Sequence, residues 1–147
     1  MDHTHEHFMK LAINEAKKAL EKNEVPIGAV LVIQNQIISK GFNQVEMLND
    51  STAHAEIIAL TSAYSALGTK YLPEATLYVT IEPCLMCAGA LYWGKVGTIV
   101  YGSSDEKNGY RKYADKNPFH PKSTIITGIM ADECRSLIQT FFKNKRQ

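Results

Sequence analysis

Leu77-Tyr-Val-Thr-Ile-Glu-Pro-Cys-Leu-Met-Cys87 joins two kinds of structure within a few residues. The apolar, β-branched and aromatic run from Ala75 to Ile81 reads as a fully buried strand. Pro83 is tolerated at the start of a helix because it has no N–H to lose. A helix from Cys84 to about Trp93 then sets Cys84 and Cys87 one turn apart on one face, where both sulfurs can reach a single ion. Partial positive charge at a helix N-terminus favours thiolates over thiols, so these ligands arrive ionised.

Upstream lies Thr52-Ala-His-Ala-Glu56. His54, Cys84 and Cys87 are three ligands suited to zinc, one short of a tetrahedral set, and an open fourth position is what a catalytic zinc needs to hold water. Glu56 is not needed as a ligand, which leaves it as the candidate general acid/base. Two other readings of the CxxC stand beside this one. A redox pair suits a CxxC that follows a strand, but it leaves His54-Ala-Glu56 unexplained. A structural zinc wants a fourth protein ligand, and the remaining cysteine, Cys134, falls in a helix where it reads as a small buried hydrophobe.

Outward from these stretches, Phe8 to about Lys22 carries a helical apolar stripe of Phe8, Leu11, Ala12, Ala16, Ala19 and Leu20. Residues 1–7, with alternating histidines, are expected to be disordered and solvated. Gly28 to Ile33, the polar Gln34-Asn-Gln36, and Ile37 to Gly41 read as a strand, tight turn and strand. Phe42 to Ser51 is polar and turn-rich, and Thr52 to Leu67, closed by Gly68, is the second helix. After the CxxC helix come a strand at Thr98 to Tyr101, a mixed loop at Gly102 to Lys122, a brief strand at Thr124 to Thr127 and a helix from Asp132 to about Lys143. The order β-β-α-β-α-β-β-α implies an α/β fold, a three-layer α/β/α sandwich, because helices between the strands of a mixed sheet must cover both faces.

With 147 residues, 45% of them hydrophobic, the chain is expected to form a single domain, residues 1–147, with a substantial core. A formal charge of +1 does not decide for or against nucleic acid, because local clustering is what matters. Phe141-Phe-Lys-Asn-Lys-Arg146 is such a cluster. Its phenylalanines can pack a helix, and they can also stack on bases beside phosphate-seeking lysines and arginine. No stretch has the length and apolarity of a membrane span, and the first thirty residues lack a signal-peptide pattern. An unpaired Cys134 fits a reducing compartment. The expectation is a cytoplasmic protein with no membrane partner.

His54-Ala-Glu56 followed by Pro83-Cys-x-x-Cys87 resembles the signature of the zinc-dependent cytidine deaminase superfamily. The wider text, Glu24-Val-Pro-Ile-Gly-Ala-Val30, Thr52 to Ile57, Leu77 to Cys84 and Met86-Cys-Ala-Gly-Ala90, is similar to the bacterial tRNA-specific adenosine deaminases from about Phe8 to Arg146. That resemblance implies a cytidine deaminase-like five-stranded sheet in the order 2-1-3-4-5, with both zinc helices side by side on one face. It implies one zinc per chain, proton transfer by Glu56, and hydrolysis of adenosine to inosine at the first anticodon position of tRNA. It also implies that Asn43 hydrogen-bonds the target base, between the apolar walls Ile27 and Ile81. The Ala55 and Cys84 N–H groups would stabilise developing charge, and the Pro83 carbonyl would accept from the leaving amine. Asp105 and Lys107 would lie in a loop meeting the anticodon arm, with Phe141, Phe142, Lys143, Lys145 and Arg146 as further tRNA contacts. The family also implies a homodimer with its substrate site near the subunit boundary.

Two stretches depart from the pattern. Tyr92-Trp93 resembles the guanine deaminases of the same superfamily, which act on a free base, and this keeps a free-base or nucleoside deaminase as the alternative function. Tyr110-Arg-Lys-Tyr113 to Pro121 is bulkier and more basic than the small-residue loop of the tRNA enzymes. A third reading, a non-catalytic zinc-binding module, has the intact Glu56 against it.

Overall fold

Alternate residues of a strand turn to opposite faces of a sheet, and here the two faces bury different helices. The computed structural model describes residues 2–145, so Arg146 lies outside the described residues. Its elements are α1 (His5–Glu21), β1 (Gly28–Ile33), β2 (Gln36–Phe42), α2 (Val45–Leu48), α3 (Ala55–Leu67), β3 (Thr76–Ile81), α4 (Leu85–Trp93), β4 (Thr98–Ser103), α5 (Tyr110–Tyr113), β5 (Thr124–Thr127) and α6 (Ala131–Lys145). On one face, Ala29 and Leu31, Leu77 and Val79, and Ile99 and Tyr101 pack with Ala55, Ala59 and Leu60 of α3 and with Ala88 and Leu91 of α4. On the other, Val30, Val32, Tyr78 and Val100 pack with Phe8, Met9 and Ala12 of α1 and with Cys134 of α6. This is the expected three-layer sandwich, with α3 and α4 on one face.

The sheet has the order β2-β1-β3-β4-β5. β1 runs antiparallel to both β2 and β3, while β3, β4 and β5 are mutually parallel. Parallel neighbours need a crossover, and α4 supplies the one between β3 and β4. The β1–β2 hairpin turns through Gln34 (φ 51) and Asn35 (φ 65). Two successive left-handed residues make the tight turn whose twist matches the strands, so Gln36 joins β2.

Several boundaries differ from the sequence expectation. α1 begins at His5, because the Thr4 side chain accepts from the His7 N–H and Glu6 sits in the positive first turn. His5 is further tied to the sheet, its Nδ1 lying 2.7 Å from the Tyr78 hydroxyl. The expected disorder of residues 1–7 is therefore corrected for Thr4 to His7. The loops at Phe42 to Ser51 and Gly102 to Lys122 contain the one-turn helices α2 and α5. Helices α3 and α4 start later than expected, at Ala55 and Leu85, and this matters for the site.

Gly28 opens β1 where α1 crosses it. A Cβ there would fall 2.1 Å from the Ala12 carbonyl oxygen and 2.4 Å from the Ala16 nitrogen, both backbone atoms that cannot turn aside. Gly28→Ala is expected to destabilise the fold by about 1–3 kcal/mol, read as a lower urea midpoint at unchanged slope. A midpoint equal to the parent's would refute this account of the packing.

Candidate active site

The late helix starts place two metal ligands at N-caps. His54 precedes α3 with extended backbone (φ −75, ψ 155), and Cys84 precedes α4 in the same way (φ −72, ψ 172). Pro83 thus sits one residue outside the helix, and Cys84 Sγ accepts from the Cys87 N–H at 3.5 Å. Each cap residue presents its side chain at the positive end of its helix, where thiolate is favoured.

The three donor atoms converge, and they form one such group among the described residues, all within 4.8 Å of one another. His54 Nδ1 lies 3.6 Å from Cys84 Sγ and 3.5 Å from Cys87 Sγ. A tetrahedral zinc with bonds of about 2.0 Å to nitrogen and about 2.3 Å to sulfur separates those atoms by about 3.5 Å. The residues therefore fit zinc as three of its ligands. The electrostatics agree. The Cys84 thiol is brought down to about 4, chiefly by its hydrogen bond with Cys87 and, against burial, by His54. His54 is shifted upward by the same Cys84 side chain, in spite of burial. The Cys87 thiol is held up by Cys84, by burial and by Glu56, since the scaffold opposes a second anion there. A divalent cation between the donors removes that opposition.

Glu56 follows His54 by two residues and is buried in the first turn of α3. Burial raises its carboxyl to about 7, with the Cys84 charge acting in the same direction and its own backbone N–H and His54 acting against it. A group poised near neutrality can take and return a proton at modest cost.

The cluster opens into a cleft of about 1550 Å³. Ile27, Asn43, Ala55, Glu56, Ile81, His54 and Cys84 line it. Asp105, Lys107, Phe141, Phe142 and Lys145 line it too, so residues distant in sequence meet at one cleft. Pro83 and Lys143 do not line it. The Pro83 carbonyl accepts from the Tyr110 N–H at 2.9 Å, which leaves its second lone pair free. Asn43 is buried and braced, its Nδ2 donating to the Val25 carbonyl and its Oδ1 accepting from the Val45 N–H, each at 3.3 Å. One amide hydrogen and one lone pair remain for a ligand. Phe141 is buried under the Lys145 ammonium, 5.5 Å from its ring centroid, while Phe142 is exposed.

Sequence reasoning missed Glu24, Glu82 and Arg135, all of which line the cleft. Glu24 is 1% exposed, and its carboxylate accepts from the Glu46 and Met47 N–H groups at 3.0 and 2.7 Å. It caps α2 from across the loop and so fixes the segment after Asn43. Glu82 is tied to Arg111. Burial pushes its carboxyl up, but the Arg111 guanidinium and the N–H groups of Arg111 and Asp105 outweigh this and hold it below the usual range. The available signal was an acid set against a proline and an apolar strand, a position that is expensive without partners.

Comparison with known proteins gives the site its relatives. Residues 2–103 match the cytidine and deoxycytidylate deaminase zinc-binding region, a span that includes His54, Glu56, Cys84 and Cys87. The tRNA-specific adenosine deaminase of Bacillus subtilis (strain 168) is 44% identical over 144 residues, which cover 95% of this chain and 89% of the relative. A solved tRNA:A34 deaminase, described for A-to-I editing at the wobble position of transfer RNA, superposes with a TM-score of 0.83 at 41% identity, over 89% of this chain and 98% of that one. The guanine deaminase of Bacillus subtilis superposes less completely, with a TM-score of 0.67 at 38% identity over 69% of this chain and 66% of that one. The match runs through both metal-ligating stretches and covers 89% of the Bacillus subtilis tRNA-modifying relative and 98% of the solved tRNA:A34 deaminase. This chain therefore belongs to the cytidine and deoxycytidylate deaminase family, on the branch of the tRNA-specific adenosine deaminases.

Proposed function

We propose that the chain, read as a single deaminase domain, hydrolyses adenosine to inosine at the first anticodon position of tRNA. The observation that carries this is a buried carboxylate, Glu56, beside a three-donor zinc site, in a cleft also lined by the 105–108 loop and the end of α6. His54, Cys84 and Cys87 would hold the metal, which when bound makes a water acidic enough to lose a proton near neutral pH.

The protein's own groups do the rest. Glu56 takes the proton from the attacking water and delivers it to purine N1 as oxygen bonds to C6. Glu56 then moves the remaining proton of the added hydroxyl to the exocyclic amine, the bond from C6 to that amine breaks with its electron pair on nitrogen, and the C6 carbonyl forms as ammonia leaves. Ala55 presents an N–H of the first helical turn, free of an intrahelical acceptor, toward developing charge. Asn43 holds the purine edge between Ile27 and Ile81. The target base must be splayed out of its stack to reach this depth, which suits an anticodon loop. Lys107, Lys143, Lys145 and Arg146 would meet phosphates, with Phe141 and Phe142 beside them. The same reading sets the protein in the cytoplasm as a homodimer.

Two changes separate base recognition from backbone binding. Replacing Lys143, Lys145 and Arg146 together with Gln is expected to weaken tRNA binding and to flatten its salt dependence by roughly 0.7 to 0.9 log units for each phosphate no longer neutralised. Asn43→Ala is expected to lower turnover more than tRNA affinity, most of which comes from the backbone. The assay is ammonia and inosine release from an anticodon stem-loop, compared with free guanine and free adenosine, across a salt series. A stem-loop left unmodified while guanine is consumed would replace this reading with the free-base one.

A further inference from the structure

Tyr110-Arg-Lys-Tyr113, the stretch that departs from the small-residue loop of the resembling enzymes, is fastened to one buried carboxylate. Glu82, at the end of β3, is 2% exposed. Its Oε1 accepts from the Asp105 N–H at 3.1 Å and from Arg111 Nη2 at 2.9 Å, and its Oε2 accepts from the Arg111 N–H at 3.0 Å. Arg111 Nη2 also donates to Ser104 Oγ at 2.8 Å, which closes a ring around residues 104–111. The chain passes so close over the carboxylate that a Cβ at Gly109 would fall 2.2 Å from Glu82 Oε2. Arg111 itself is half-exposed and is the single cation paired with Glu82 among the described residues.

What hangs from this fastening is cleft wall. Asp105, Glu106, Lys107 and Asn108 line the cleft, and their turn is closed locally by Asp105 Oδ1, which accepts from the Lys107 and Asn108 N–H groups at 3.1 Å. The turn is thus a preformed unit, held to the sheet by Glu82 through Asp105 and Arg111 and, on the backbone, by the Tyr110 N–H to Pro83 carbonyl bond. A buried carboxylate stripped of its cation would keep its desolvation cost without compensation.

We propose that Glu82 and Arg111 are positioning residues that clasp the 104–111 segment to the end of β3 and so hold Asp105 and Lys107 in place for the anticodon arm. This rests on the tRNA reading for its consequence and on the hydrogen-bond geometry for its mechanism. The test compares the parent chain with Arg111→Ala and Arg111→Lys, both at a half-exposed position, and with Glu82→Gln. Amide hydrogen exchange, zinc content and steady-state deamination of an anticodon stem-loop are measured on each.

In Arg111→Ala, exchange at the Asp105 and Arg111 amides is expected to speed by about tenfold or more. KM for the stem-loop should rise about tenfold with kcat within about twofold and zinc still at one per chain. Arg111→Lys keeps a cation beside Glu82 and should recover most of the KM change. Unchanged exchange at Asp105 with KM near the parent's overturns the proposal. So does loss of zinc, or a fall in kcat at constant KM, because either would make the pair a brace for the Cys84 turn. Exchange needs no substrate. A parent chain that leaves the stem-loop unmodified therefore overturns the tRNA reading, while the exchange comparison still decides the clasp.

Discussion

Glu56→Ala is expected to keep zinc at one ion per chain and to lower deamination by about two to four orders of magnitude. The direction follows from three properties of the residue. It is buried and lines the cleft, it is not one of the three converging donors, and its carboxyl is raised to about 7 by burial. A proton acceptor of that strength returns what it takes, so its removal strikes every proton transfer while the metal keeps its ligands. Metal analysis together with single-turnover inosine formation checks both halves. Glu56→Gln keeps the shape and should be nearly as inactive. Turnover within tenfold of the parent would assign the proton transfers to another group.

Cys87→Ala is expected to lose zinc and activity together. Cys87 is fully buried in the first turn of α4, and its thiol is the one the scaffold holds high. Its ionisation is therefore tied to the cation, and binding of the cation is tied to it. With only His54 and Cys84 remaining, two donors cannot complete a closed three-ligand base. Zinc per chain and deamination, measured on the same preparation before and after chelation, decide the matter. Full activity in a demonstrably metal-free sample would remove zinc from the account.

The parts of this molecule that could be read from the chain are those that rest on residue type and period. The apolar, β-branched and aromatic run from Ala75 to Ile81 and the stripe from Phe8 to Leu20 placed a buried strand and a core helix where they are found. The resemblance carried by His54-Ala-Glu56 and Pro83-Cys-x-x-Cys87 supplied the sheet order, which periodicity cannot give. The short helices α2 and α5 were not legible, because four residues show no helical period. Nor was the N-cap role of His54 and Cys84, which turns on backbone angles at a single residue. The bond from Tyr110 to the Pro83 carbonyl was not legible either, because it joins positions far apart in sequence. Glu24 and Glu82 stood inside quoted motifs without a role for the same reason. Their partners Met47 and Arg111 become neighbours only when the loops fold over the sheet edge.

The central claim is hydrolytic deamination at one position of one class of RNA. Its most direct test is to incubate the zinc-loaded protein with tRNA carrying adenosine at the first anticodon position, and to identify the nucleoside at each anticodon-loop position by mass spectrometry. The account predicts inosine at the first anticodon position, no change at the other adenosines, and none with Glu56→Ala. Adenosine left intact at that position, with ammonia released from free guanine by the same preparation, would contradict it.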